Sequence, residues 1–140
     1  MNTLRRVWTG RRVPLDQQTP RVLIVDDNEV AADALVMFFQ LENLLARATY
    51  GGADAVEVGH GWRPHLIVMD ISMPLFNGYD AARALRYDAR TNGIAIIAFT
   101  ALDEAHVRDN LEDHEFDAYC QKGQSPDHLL DLLMQMIDVV

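Results

Sequence analysis

Residues 22–25 read Val-Leu-Ile-Val and run directly into Asp26 and Asp27. Four consecutive apolar residues with no polar alternation suit a strand buried on both faces, and such strands occur mainly in parallel sheets covered by helices. The device recurs. Residues 66–69 reach Asp70, residues 94–99 reach Thr100 and residues 118–121 reach Lys122, while residues 46–50 form a short fifth candidate.

Helical spacing fills the intervals. Over residues 28–45, Val30, Ala34, Leu35, Phe38 and Leu41 recur at intervals of three and four and share one side. A short helix is predicted over 52–59, and another over 79–87 after the chain breakers Pro74, Asn77 and Gly78. A polar helix is expected over 103–113. The last begins near Ser125 or Pro126 and lines up Leu129, Leu132, Leu133, Met136, Ile137 and Val140, with Asp127 favourably placed in its first turn. Five strands alternating with five helices through short connections predict an α/β, doubly wound parallel sheet of order 2-1-3-4-5, with helices on both faces.

At 140 residues the chain is long enough for one self-sufficient core. Residues 1–20 contain two prolines and no sustained apolar period, so they are expected to be a flexible basic leader or linker, with the ordered domain spanning 21–140. The leader carries Arg5, Arg6, Arg11 and Arg12 against Asp16, whereas the remainder has eight basic and twenty acidic residues. So acidic a body is expected to bind no nucleic acid. No apolar stretch approaches the ~20 residues that span a bilayer, and the N-terminus lacks a signal-peptide core, so no membrane association and a cytoplasmic location are expected. The lone cysteine, Cys120, excludes an internal disulfide and suits a reducing compartment.

In doubly wound sheets ligands bind at the carboxyl ends of the strands, beside the reversal in strand order. Here those ends are Asp26 and Asp27, Asp70, Thr100 and Lys122. Three converging carboxylates need a counter-charge to remain ionised. Mg²⁺, which prefers carboxylate and water oxygens, and the Lys122 ammonium would together supply it. Asp70, at the end of the central strand and followed by the loop 72–78, is the candidate nucleophile for an acyl-phosphate. Asp26, Asp27 and Asp70 would hold the metal, with the backbone carbonyl of Ser72 as a further ligand. Thr100, the backbone N–H of Ala101 and Lys122 would receive the phosphoryl oxygens. Asp26 or Asp27 would also suit a helix cap. Ser72 and Leu102 line the expected entrance. His60, His65, His106, His114 and His128 show no zinc spacing, and no glycine-rich nucleotide loop is present.

From about Arg21 onward the chain resembles the response-regulator receiver family of two-component signalling. The resemblance rests on VLIVDDNE at 22–29, VMDISMPLFNG at 68–78, Phe99-Thr100-Ala101 and Tyr119-Cys120-Gln121-Lys122. It implies a flavodoxin-like fold and phosphorylation of Asp70 from a phosphohistidine on a histidine kinase or phosphotransfer protein. It further implies Mg²⁺ at Asp26, Asp27 and Asp70, and a Thr100/Tyr119 switch pair. In that family the threonine moves toward the phosphoryl group and the aromatic ring turns inward, remodelling the face of the fourth helix, fifth strand and fifth helix for a downstream protein target. A monomer or a phosphorylation-promoted homodimer is expected, with slow loss of the phosphoryl group and no other turnover. The second reading is a phosphorylation-independent docking domain.

Two positions depart from the family. The lysine is followed by Gly123 where proline in a cis bond is usual, leaving both a trans and a cis bond open. Glu115 stands where glycine commonly ends a helix, which implies either a strained left-handed residue or a rerouted loop.

Overall fold

The computed structural model describes residues 3–139. Along the chain it forms β1 (Arg5–Val7), β2 (Val13–Pro14), β3 (Arg21–Val25), α1 (Glu29–Leu41), β4 (Leu45–Thr49), α2 (Gly52–Trp62), β5 (Leu66–Met69), α3 (Gly78–Tyr87), β6 (Ala95–Thr100), α4 (Glu104–Asp109), β7 (Ala118–Gln121), α5 (Pro126–Gln135) and β8 (Ile137–Asp138). The main sheet has the order β1-β7-β6-β5-β3-β4. Its five parallel strands, β3 to β7, therefore stand in the predicted order 2-1-3-4-5.

The period of two assigns each side chain its layer. Val22 and Ile24 of β3 face the core built with Ala32 and Phe39 of α1 and Leu129, Leu132 and Leu133 of α5. Leu23 and Val25 face the opposite core, with Ala55 of α2, Ala81, Ala82 and Leu85 of α3, and Val107 of α4. Helix starts follow the capping residues. Asn28 accepts from the Ala31 N–H, and Asn77 and Asp80 form a reciprocal capping box. Asp103 and Ser125 cap α4 and α5, the latter with Pro126 in the first turn.

Two expectations are corrected. Residues 1–20 are not simply a flexible leader: Arg5–Val7 pairs antiparallel with β7 and makes a sixth strand on the main sheet, and Val13–Pro14 pairs parallel with β8. Order therefore begins well before Arg21, because these short segments find hydrogen-bond partners remote in sequence. The last helix also stops at Gln135, and Ile137, expected on its stripe, lies in β8 beside Val13. Val140, expected on the same stripe, lies outside the described residues.

Candidate functional site

β3 hydrogen-bonds to β4 on one side and to β5 on the other, so the reversal in strand order falls between β3 and β5. Val25 and Met69 are register partners, which brings the next residues, Asp26 and Asp70, to the same end of the sheet. Both backbones are tied down: the Asp26 N–H donates to the Thr49 carbonyl at 3.2 Å, and the Asp70 N–H to the Val25 carbonyl at 2.9 Å. Gly78, the first residue of α3, packs against the Asp70 backbone and donates its N–H to the Ile71 carbonyl at 3.0 Å.

The structure brings together Asp26, Asp27 and Asp70, with carboxylate oxygens all within 4.8 Å of one another. Asp26 and Asp70 are buried and Asp27 is exposed. Lys122 enters from the end of β7 and places Nζ 2.7 Å from Asp26 Oδ2 and 3.3 Å from Asp70 Oδ1. Burial would lower its pKa, but the two carboxylates prevail and hold the ammonium above its ordinary value. Burial, opposed by Lys122 and reinforced by the Asp26 charge, pushes the Asp70 carboxyl up to about 6. The helix-cap role expected of Asp26 or Asp27 belongs to Asn28, although Asp26 Oδ1 accepts from the Asn28 N–H at 3.0 Å.

Thr100 is buried at the end of β6, and its hydroxyl accepts from the Leu102 N–H at 3.2 Å. The Thr100 carbonyl accepts from the Lys122 N–H at 2.8 Å, which joins the two strand ends. Ala101 is exposed and Ser72 lies exposed at the start of the loop beyond Asp70. Tyr119 is fully buried and its hydroxyl donates to the Leu102 carbonyl at 2.6 Å. Desolvation, with Asp103 and Glu104 nearby, pushes that phenol up to about 12. Cys120 is buried, and burial raises its thiol to about 11, in keeping with a core residue.

Both departures are settled by geometry. No cis peptide bond occurs among the described residues, so Lys122–Gly123 is trans, and Gly123 adopts φ +95°, a region that favours glycine. Glu115 is not left-handed. Its buried carboxylate accepts from the backbone N–H groups of Glu112 (2.9 Å) and Asp113 (2.6 Å) and from Arg83 Nε (3.0 Å). Burial would raise its pKa, but those N–H donors and Arg83 hold it below the ordinary glutamate value. Glu115 thus organises the loop between α4 and β7.

The sequence reading missed two residues that build around β7, Asp117 and Trp8. Asp117 is buried and accepts from Arg86 Nη2 and, at 3.0 Å each, from the Ile96 N–H and Arg11 Nε. Trp8 stacks on Tyr119 with ring centroids 5.8 Å apart. An aspartate inside the apolar run 116–120 was the available signal, since a carboxylate there needs a cation from elsewhere.

Comparison with known proteins gives a consistent result. The family described as response regulator receiver domain matches residues 22–134. Response regulator SSK1 of Verticillium dahliae is 35% identical over 80 residues, covering 57% of this chain and 10% of that protein. Protein PilH of Pseudomonas aeruginosa is 33% identical over 84 residues, covering 60% and 69%. Among solved structures, the response regulator TrrA of Thermotoga maritima, in complex with Mg²⁺-BeF, superposes with a TM-score of 0.75 at 25% identity over 84% of this chain and 99% of that one. The chain thus spans about a tenth of the length of SSK1 and about two thirds of the length of PilH.

Proposed function

The chain belongs to the response regulator receiver family of two-component systems, and we propose that Asp70 is its phosphoacceptor. The observation that carries the reading is the convergence of Asp26, Asp27 and Asp70 with Lys122 at the carboxyl ends of β3, β5 and β7.

The Asp70 carboxylate attacks the phosphorus of a phosphohistidine on a histidine kinase or phosphotransfer protein. An O–P bond forms, the N–P bond breaks, and the imidazole nitrogen keeps the electron pair and takes up a proton. The oxygen-only donor set of Asp26, Asp27 and Asp70, with the Ser72 carbonyl, fits Mg²⁺, whose chemistry when bound is to neutralise the phosphoryl oxygens. Lys122, tethered between Asp26 and Asp70, is placed to pair with one phosphoryl oxygen, and the Thr100 hydroxyl and Ala101 N–H serve another. Burial that raises Asp70 acts against the nucleophile, so the cations are what keep it ionised. Slow hydrolysis resets the switch, and Thr100 with Tyr119 carries the signal to the face of α4, β7 and α5. No helix among the described residues is long and apolar enough to cross a membrane, and the buried thiol suits the cytoplasm.

The test is intact protein mass after incubation with acetyl phosphate, with Mg²⁺ or with chelator. A gain of about 80 Da that requires both Mg²⁺ and Asp70, and is lost in Asp70→Asn, supports the assignment. Mg²⁺ binding with no mass gain from acetyl phosphate or from a phosphohistidine donor favours the phosphorylation-independent docking domain instead. Failure to bind Mg²⁺ overturns the mechanism.

A further inference from the structure

The four arginines of the N-terminal twenty residues are largely spent on the domain itself. β1 runs along the edge of β7 with Arg5, Arg6 and Val7 opposite Cys120, Tyr119 and Ala118, and the Gln121 N–H donates to the Leu4 carbonyl at 2.7 Å. Just beyond, the N–H groups of Trp8 and Thr9 both donate to the Asp117 carbonyl, at 2.8 and 3.1 Å. The Trp8 indole lies within 10° of parallel to Tyr119, and its Nε1 donates to Glu104 Oε2 of α4 at 2.7 Å. Arg6 Nε reaches the same oxygen at 2.8 Å, and the Arg108 guanidinium sits 4.9 Å above the Trp8 ring. On the other side, Arg5 Nη1 bonds His128 of α5, with Nδ1 at 2.9 Å and the carbonyl at 3.2 Å, and lies 3.7 Å from Asp131. One basic segment thus covers α4, the open edge of β7 and α5 together.

We propose that residues 5–12 are an internal occupant of the output surface, a strap whose hold is weakened when Asp70 is phosphorylated. This rests on the receiver reading above. The arginines of the strap meet the carboxylates of Asp131, Glu104 and Asp117, yet its grip is limited. β1 has three residues, two of them exposed, and the ion pairs Arg5–Asp131 and Arg6–Glu104 each include a side chain that is more than half exposed and therefore well screened by solvent. It is also continuous with the phosphorylation site. Thr100 holds the Leu102 N–H, the Leu102 carbonyl holds the Tyr119 hydroxyl, and Trp8 rests on the Tyr119 ring. A shift of Thr100 toward Asp70 moves Leu102 and so disturbs the stack. Because Trp8 covers the ring, Tyr119 is already inward, and the strap becomes the element that moves. A protein partner reading this face competes with the strap for the β7 edge.

The chain has two tryptophans, so Trp62→Phe leaves Trp8 as the reporter. Its acrylamide quenching and emission maximum are measured with Mg²⁺ before and after acetyl phosphate, with phosphorylation followed by intact mass in the same samples. Quenching is expected to rise about twofold or more and emission to shift red in proportion to the phosphorylated fraction, and not at all in the same variant carrying Asp70→Asn. Hydrogen exchange on the wild-type chain gives an independent reading, with faster exchange expected at the Trp8, Thr9 and Gln121 amides. Full mass gain with unchanged Trp8 quenching and unchanged exchange overturns the strap and leaves the assignment of Asp70 as phosphoacceptor standing. No mass gain with any donor overturns both.

Discussion

A β-carbon on Gly78 would overlap the Asp70 carbonyl oxygen. The start of α3 is therefore pressed against the backbone that carries the phosphoacceptor, and only a residue without a side chain allows the approach. Gly78→Ala is expected to cost about 1–3 kcal/mol in urea unfolding and to slow phosphorylation from acetyl phosphate, since the Asp70 backbone must shift. Gly93→Ala, where a β-carbon meets nothing within 4 Å, is the control and is expected to change neither.

Asp70 is held near pKa 6 by burial. A carboxyl raised in the fold contributes stability while it is protonated in both states, and that contribution is lost as pH rises from the ordinary carboxylate range through about 6. In chelator, Asp70→Asn is expected to melt several degrees above wild type at pH 7.5, with the gap closing toward pH 4. Mg²⁺ affinity of the wild type is expected to fall as pH drops through 6. A thermal-shift series across that range checks both.

Glu115 gathers two backbone N–H groups and Arg83 on one buried carboxylate. Glu115→Ala is expected to destabilise by about 2–3 kcal/mol, because the donors lose a charged acceptor. The loss should be accompanied by faster amide exchange at Glu112 and Asp113. As a carboxyl lowered in the fold, Glu115 contributes stability above its ordinary range, and that contribution disappears as pH falls through the folded value. The wild-type and Glu115→Ala unfolding curves should therefore converge in acid.

Asp117 divides its two oxygens between the core and the strap, with Arg86 and Ile96 on one and Thr9 and Arg11 on the other. Asp117→Ala leaves the Arg86 guanidinium without its carboxylate and is expected to cost about 3 kcal/mol or more. Arg11→Ala removes only the half-exposed partner and is expected to cost about 1 kcal/mol or less. Denaturant unfolding of the two variants separates the roles.

The five parallel strands, their order and the acidic, hydroxyl and lysine residues at their ends were legible in the sequence. A strand buried on both faces must be apolar along its length, so the first polar residue marks where it emerges, and the rule for doubly wound sheets then collects those residues at one end. Val22 to Asp27 and Leu66 to Asp70 carry that information locally. β1 and β2 carried no such mark. Arg5–Val7 is a charged, half-exposed edge strand, and Val13–Pro14 is two residues long. What makes each a strand is a partner more than a hundred residues away. The end of the last helix escaped for the same reason. Its apolar stripe continues to Ile137, but pairing with Val13 captures that residue. Glu115 was read as a departure from glycine because its spacing says nothing of which N–H groups its carboxylate meets. The sequence alone determined the parallel core and the chemistry at its strand ends, because burial and side-chain period are local properties. Only the tertiary structure decided what covers β7 and how Asp117 and Glu115 are satisfied, because those contacts are made between segments that the chain brings together by folding.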